Sequence, residues 1–369
     1  MSGHTVWGPH PGSAILCIMR ILVTGAAGFI GAHIVTELLD HGYEVLALDG
    51  LVPPIHQSSQ WPLWLDTRAQ WQHADLRDPA AVDAALTGVS AVVHQAALVG
   101  HGLDLQDLPA YVSLTDLGTA ELLAGMARHG VQDLVLASSM VVYGEGQYAC
   151  EIHGPAFAPK RLTTDLEAGR FDPLCPRCQA PLDWRRVIES APKDPQSVYA
   201  TSKLAQEHYA AAWARGVGGR AIFLRYHNVY GPRMPMNSPY SGVAALFRSA
   251  LESNTAPQVF EDGKQMRDFV HVRDVARANR VALEALSVTS PDGLALNICS
   301  GRPRSIGWAA QVLADELAGP APTVTGAFRA ADVRHVVADP TAAERSIGFA
   351  ATVDPLSGFA EFARAPMRT

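Results

Sequence analysis

The sequence predicts an α/β fold built on a doubly wound parallel sheet, with a smaller C-terminal lobe. Three observations carry this. An apolar strand at residues 20–24 runs directly into Gly25-Ala-Ala-Gly28-Phe-Ile-Gly31 and then into a helical pattern. Short β-branched runs alternate with helical stretches along the first 230 residues, the signature of parallel crossover units. At 369 residues and 48% apolar content the chain has enough material for a large core in one big or two moderate domains.

Taken in order, the elements build a nucleotide scaffold. Strand Ile21-Leu-Val23 leads to Gly25, which allows a sharp turn; Gly28 lets backbone approach a pyrophosphate, and Gly31 lets the following helix, read from Ala32 to His41, pack on the strand. The helix N-terminus supplies free N–H donors for phosphate. A second strand, Glu44-Val-Leu-Ala-Leu48, ends in Asp49, where a carboxylate bonds ribose hydroxyls and repels an extra phosphate, favouring NAD over NADP. A strand around 70–74 ends in Asp75, placed either to accept an adenine amine or to cap the next helix. Strand Ala91–His94 leads into the small residues Gln95-Ala96-Ala97. Helix 108–128 precedes strand 134–137, which ends in Ser138-Ser139 and continues through Val141-Val-Tyr-Gly144. In Tyr199-Ala-Thr-Ser-Lys203, on a helix read over 197–214, the spacing puts a phenol and an amine on one face. Alone, that pair reads as a solvated helix surface. Beside a dinucleotide site it reads as a general base whose pKa the ammonium lowers.

Composition narrows the partners. The net charge of −7 leaves no basic footprint for nucleic acid or anionic membranes. No apolar run approaches the roughly eighteen residues a bilayer span needs. Residues 1–18 lack the cationic start and apolar core of a secretory signal; they are expected to be a disordered extension, with Met19 a candidate natural start. The five cysteines (17, 150, 175, 178 and 299) form an odd set that fits a reducing, cytoplasmic compartment and metal ligation rather than a disulfide framework.

The motifs Gly25-x-x-Gly28-x-x-Gly31, Asp49, His94-x-Ala-Ala97, Ser139-x-x-Val-Tyr-Gly144 and Tyr199-x-x-x-Lys203, in this order, resemble the extended short-chain dehydrogenase/reductases that act on nucleotide sugars. The resemblance covers nearly the whole chain from residue 19. It implies a Rossmann domain over 19–227 and a discontinuous substrate lobe over 228–369 that packs back on it. It also implies a homodimer paired through helices 108–128 and 197–214. NAD is implied to contact Phe29, Ile30, Gly50, Leu76, Gln95, Ala96, Ala97, Ser138, Tyr226 and Val229 besides the glycines, Asp49 and Asp75. Lys203 is implied to bind the nicotinamide ribose. Tyr199 and Ser139 would act on a sugar hydroxyl, flanked by Met140 and Val141. The segment Leu224-Arg-Tyr-His-Asn228-Val-Tyr-Gly-Pro232 looks like the family's block in which the Asn contacts the substrate phosphates. The run Gly263-Lys-Gln-Met-Arg267-Asp-Phe-Val-His271 looks like the block whose Arg holds the diphosphate; Arg329 and Asp332 match a phosphate and ribose pair. The other reading of Arg267 is a surface ion pair with Asp268 or Asp262. One position departs from the family: Thr115 stands where an Asn is usual three residues before Gly118-Thr119.

Related 4,6-dehydratases carry an acid pair directly after the Ser/Thr, and here those positions are Met140 and Val141, which argues against elimination. A uronate decarboxylase would want a further cation that the sequence does not assign. A 4-epimerase acting on a dTDP- or UDP-linked hexose or 6-deoxyhexose leads; a 4-ketosugar reductase or net dehydrogenase is the alternative. A protein that binds NAD without chemistry would be expected to lose the Tyr/Lys pair.

An insertion over about 146–192 carries Cys150-x-x-His153 and Cys175-Pro-Arg-Cys178, the spacing of a tetrahedral Cys₃His zinc site. Four protein ligands would close such a site, so the zinc would be structural. The insertion is rich in Pro and charge and poor in large apolar residues, so a staple is expected. Free thiols in a loop are the other reading. With Asn237-Ser-Pro-Tyr-Ser-Gly242, the insertion makes the chain resemble most the dTDP-L-rhamnose 4-epimerases and allied sugar 4-epimerases.

Overall fold

The computed structural model describes residues 19–53, 55–56, 58–100, 105–236, 242–286, 292–329 and 332–368. The expected N-terminal extension, and residues 237–241 of the segment after Asn228, lie outside them.

Seven parallel strands form the central sheet: β1 (Arg20–Thr24), β2 (Glu44–Asp49), β3 (Gln70–His73), β4 (Ala91–His94), β5 (Asp133–Ser139), β6 (Arg220–Tyr226) and β7 (Asp292–Ile298). Their order is β7-β6-β5-β4-β1-β2-β3. The chain therefore reverses direction across the sheet between β1 and β4, whose register pairs Thr24 with His94. A crevice opens beyond the carboxyl ends of the strands at such a reversal. Val23, Val93, Val135 and Ile222 are fully buried on one face of the sheet, and Leu22, Val92, Leu134 and Ala221 on the other. Burial on both faces explains why these strands read as continuous apolar runs rather than as alternating ones.

Helices α1 (Phe29–Asp40) and α2 (Pro79–Leu86) follow β1 and β3. Helix α1 begins three residues before the expected Ala32, because Gly28 caps it in extended conformation and the glycine turn itself supplies the first helical turn. The expected helix 108–128 is continuous but not regular. Leu108–Tyr111 is α-helical, Val112–Leu117 is π-helical, and α3 (Gly118–His129) resumes the normal repeat. Helix α4 (Val198–Val217) carries the Tyr/Lys pair; Ser197 caps it by accepting from the Ala200 N–H. After β5 the chain does not continue as strand but turns through a 3-10 segment, Met140–Tyr143.

The division expected at residue 227 is not clean, because later elements return to the first lobe. Helix α5 (Val272–Leu286) buries Val275, Ala278 and Ala282 in the same core as Ile34 and Val35 of α1, and β7 completes the sheet beside β6. Both belong to the Rossmann half. The second lobe has its own core of Tyr230, Phe247, Phe269, Leu313, Phe359 and Phe362. The insertion folds as a three-stranded antiparallel sheet of Gln147–Cys150, Gly154–Ala156 and Asp183–Arg185. Its core is small, as its few large apolar residues suggest: Tyr148, Cys150, Cys175 and Leu182, with Trp184 against them. Among the described residues no helix is long and apolar enough to cross a membrane.

Candidate active site

One cavity of about 820 Å³ runs from the glycine turn to the second lobe, and every residue that the sequence assigns to cofactor or substrate lies on its wall. At one end, Gly25 has φ +65°, and a Cβ there would meet the Ala96 nitrogen at 2.7 Å; a Cβ on Gly31 would meet the Gly25 carbonyl at 2.1 Å. Turn, strand β4 and helix α1 are thus packed backbone to backbone, leaving the bare N-terminus of α1 toward the cavity. Asp49 is 6% exposed and accepts from the backbone N–H groups of Ala27 and Leu51, both at 2.9 Å. A carboxylate has about four acceptor sites, so lone pairs remain for a ribose diol. These features fit NAD.

Two neighbours of Asp49 went unread in the sequence. His56 lies 3.4 Å from its carboxylate, and Arg368 donates to the carbonyls of Ala27 and Ile55. Neither sits in a local motif. Asp75 also lines this end, but its carboxylate is held by the Arg77 guanidinium, which pulls its pKa down. It is not the cap of α2. Asp78 takes that role, accepting from the Ala80 N–H, because it alone stands directly before the Pro79 first turn.

Tyr199, Ser139 and Lys203 all line the cavity. The sequence reading expected the ammonium to lower the phenol pKa; the structure differs. Burial pushes the Tyr199 phenol up, with a hydrogen bond to Ser139 opposing it. Lys203 Nζ donates to the Ala137 carbonyl and to Gln206 Oε1, each at 3.0 Å, rather than to the phenol. Its own pKa is pushed down to about 7 by burial, against the pull of Glu207. Ser138, assigned to the cofactor, turns its hydroxyl away and donates it to Glu207. Beneath α4, Glu207 forms a forked ion pair with Arg225, whose guanidinium also donates to the Tyr143 hydroxyl and the Glu189 carbonyl. A second buried set joins Thr24, His94, Thr119 and Gln206, and burial keeps His94 neutral with a pKa of about 3. Thr115 makes the helix contact that its departure from the family put in question: its hydroxyl accepts from the Leu98 N–H at 3.0 Å and so holds the loop after Ala97 over the cavity.

On the substrate side, Asn228, Arg267, Arg329 and Asp332 share the wall. Arg267 pairs with neither Asp268 nor Asp262. Its guanidinium donates to the carbonyls of Met266, Arg334 and Val333, and among the described residues no carboxylate forms a salt bridge with it, although Glu145, Asp332 and Glu261 lie near enough to stabilise its charge. Arg329 lies 5.2 Å over the Phe260 ring. The fully buried Arg334, also unread in the sequence, binds Asp172, Glu261 and Asp262. These partners lie far apart in the chain, so no spacing announces them.

In the insertion, the ligand atoms of Cys150, His153, Cys175 and Cys178 lie within 4.8 Å of one another. Cys150 Sγ is 3.6 Å from Cys178 Sγ and from His153 Nδ1; Cys175 Sγ is 3.5 Å from His153 Nδ1. Tetrahedral bonds of about 2.3 Å to sulfur and 2.0 Å to nitrogen give edges of roughly 3.5–3.8 Å, so the residues present fit zinc.

Comparison with known proteins supplies the family. A model described as the NAD dependent epimerase/dehydratase family matches residues 21–161 and 177–299. The chain belongs to this family. It is 35% identical over 340 residues to a dTDP-L-rhamnose 4-epimerase of Burkholderia thailandensis, covering 89% of this chain and 90% of the relative. It is 30% identical over 341 residues to a putative UDP-glucose 4-epimerase of Methanocaldococcus jannaschii, covering 92% and 95%. Among solved structures, the UDP-glucose 4-epimerase of Thermus thermophilus in complex with NAD superposes with a TM-score of 0.74 at 28% identity, covering 94% of this chain and 98% of that one. The break in the family match, 162–176, falls inside the insertion.

Proposed function

We propose that this enzyme is a nucleotide-sugar 4-epimerase acting on a dTDP- or UDP-linked hexose or 6-deoxyhexose. The observation that carries the reading is the base set Tyr199, Ser139 and Lys203 on one cavity with Met140 and Val141 on the turn that follows Ser139. Bound NAD supplies the reversible hydride acceptor. Tyr199 takes the proton of the C4 hydroxyl, Ser139 holds the same oxygen, and Lys203 supplies positive charge below. Elimination needs an acid and a base beside the sugar ring, and methionine and valine offer neither. With no elimination available, the 4-keto sugar can turn over, take its hydride back on the other face and recover its proton from Tyr199. The roles given to the cavity residues belong to this reading, as does a Rossmann domain over 19–227 with a discontinuous substrate lobe from 228–369, whose segments 272–286 and 292–298 pack back on the first.

Three further parts go with it. Cys150, His153, Cys175 and Cys178 hold a structural zinc, supported by their tetrahedral spacing. Leu108, Val112 and Leu117 on the helix before α3, with Tyr209 on α4, are exposed apolar residues that suit a homodimer interface. The reduced thiols suit the cytoplasm.

The test is incubation with a panel of dTDP-, UDP- and GDP-sugars, following C4 configuration by NMR. Turnover with catalytic NAD and no net absorbance change is expected. Stoichiometric consumption of reduced cofactor would make the enzyme a 4-ketosugar reductase instead. Tyr199→Phe should keep bound NAD and lose about 10²–10⁴-fold in turnover; a variant near wild-type rate ends the mechanism.

A further inference from the structure

We propose that the Cys/His insertion is a strut that sets Arg267 on the substrate wall, with Asp172 and Arg334 as its positioning residues. The inference rests on the epimerase reading only for the identity of the ligand, and on the zinc reading only for what anchors the strut.

Among the described residues no carboxylate holds Arg267. Its direction is fixed by three backbone carbonyls, Val333, Arg334 and its own neighbour Met266, at 2.7, 2.8 and 2.9 Å. A guanidinium held this way goes where that backbone goes. The backbone is in turn bolted to the insertion at several points. The Arg334 N–H donates to the Glu145 carboxylate, and the His335 N–H donates to the Tyr148 hydroxyl at 3.1 Å. Tyr148 stands two residues before Cys150 and shares a core with Cys150 and Cys175. Asp172, three residues before Cys175, accepts from Arg334 Nε at 2.7 Å and lies 3.3 Å from His335 Nε2. Arg161, between the two ligand pairs, donates to the Asp332 carbonyl.

The arrangement is therefore serial. The cluster gathers the strand ending at Cys150 and the turn Cys175–Cys178, and these carry Tyr148 and Asp172. Tyr148 and Asp172 fix Arg334 and His335, and so the Val333–Arg334 backbone whose carbonyls hold Arg267 on the cavity wall. The glycine turn and Asp49 lie at the other end and share none of these contacts. Loosening the strut should therefore cost binding of a nucleoside diphosphate while sparing NAD.

The experiment uses the full-length holoenzyme and two perturbations, Asp172→Asn and metal removal by a chelator, with Asp165→Asn as control. Asp165 lies in the same insertion but its side chain pairs with the exposed Arg170. Binding of dTDP and of UDP is measured by calorimetry, bound NAD by absorbance after release, and zinc by elemental analysis. Asp172→Asn keeps the other two carboxylates of Arg334, so the fold is retained. It is expected to weaken dTDP or UDP binding about fivefold or more, raising KM with kcat and NAD content nearly unchanged. Chelated protein should shift the same way, and Asp165→Asn should not shift. Unchanged nucleotide affinity in Asp172→Asn, or loss of NAD in parallel with nucleotide, overturns the strut. A zinc-free native protein in which Asp172→Asn still weakens nucleotide binding removes the metal reading and upholds the strut. Normal nucleotide binding with no epimerisation of any sugar removes the epimerase reading alone.

Discussion

Replacing Glu207 with Gln should lower stability more than any surface change in this protein. The side chains of Glu207 and Arg225 are 5% and 2% exposed. The carboxylate receives Arg225 Nε at 2.8 Å and Nη2 at 2.7 Å, together with the Ser138 hydroxyl. Gln fills the same volume but turns an NH₂ toward a guanidinium, so one bond is lost and the buried cation loses the carboxylate that it is paired with. Breaking such a pair from one side costs about 3–5 kcal/mol. For a chain of 369 residues the unfolding entropy at the midpoint is about 0.8 kcal/mol/K, which turns that cost into a fall in Tm of about 4–6 °C. Scanning calorimetry at fixed saturating NAD is the assay, since bound ligand otherwise moves the midpoint. The double variant Glu207→Leu with Arg225→Met should regain most of the loss, because well-packed apolar residues commonly replace a buried pair at little cost. A second readout comes from Lys203, whose depressed pKa Glu207 partly holds up. Without that carboxylate the Lys203 cation is lost at lower pH, and the pH dependence of turnover shifts in that direction. A Glu207→Gln protein with an unchanged midpoint would refute the claim that this pair anchors α4 under the base.

Gly31→Ala should yield protein that keeps its circular dichroism but purifies with little NAD. Its Cβ would meet only backbone, the Gly25 carbonyl and Ala26 Cα, so overpacking of about 1–3 kcal/mol falls on the turn itself; normal NAD content would contradict it. Asp268→Asn should stabilise the protein at neutral pH. Burial raises the Asp268 pKa to about 6 from 3.8. The folded state therefore binds this proton more tightly, its contribution is whole below about pH 4, and it is lost as pH rises through 6, at an upper bound of about 3 kcal/mol. Denaturant midpoints of variant and parent should converge at pH 4 and separate by pH 7.5; a pH-independent difference would refute the assignment.

Legibility in the sequence tracks the range of the interaction. That the glycine turn, Asp49 and the Tyr199/Lys203 pair share one cavity wall was legible because each depends on neighbours a few residues away or on the end of one strand. That Cys150, His153, Cys175 and Cys178 gather in space was legible from the short spacing within each pair. Arg334, Arg368 and the Glu207–Arg225 pair were not, since their partners come from other elements. Asp75 shows a local signal misdirecting, because Arg77, two residues on, competes for the carboxylate. The Lys203 ammonium shows that shared helical face does not mean shared hydrogen bond, for its nearer acceptors lie below the helix. The lobe boundary was blurred because α5 and β7 return to the sheet after the chain has entered the second lobe.

The contact of Arg368 with Ala27 spans 341 residues of sequence. During synthesis the N-terminal strands emerge and pair first, so the glycine turn exists as a folded surface well before Arg368 leaves the ribosome. A dinucleotide meeting the nascent chain would find the turn but not this last wall of the pocket. Cofactor capture is thereby split in time into an open, reversible docking stage and a late sealing stage. How tightly a dinucleotide is held would then depend on whether Arg368 has reached the glycine turn.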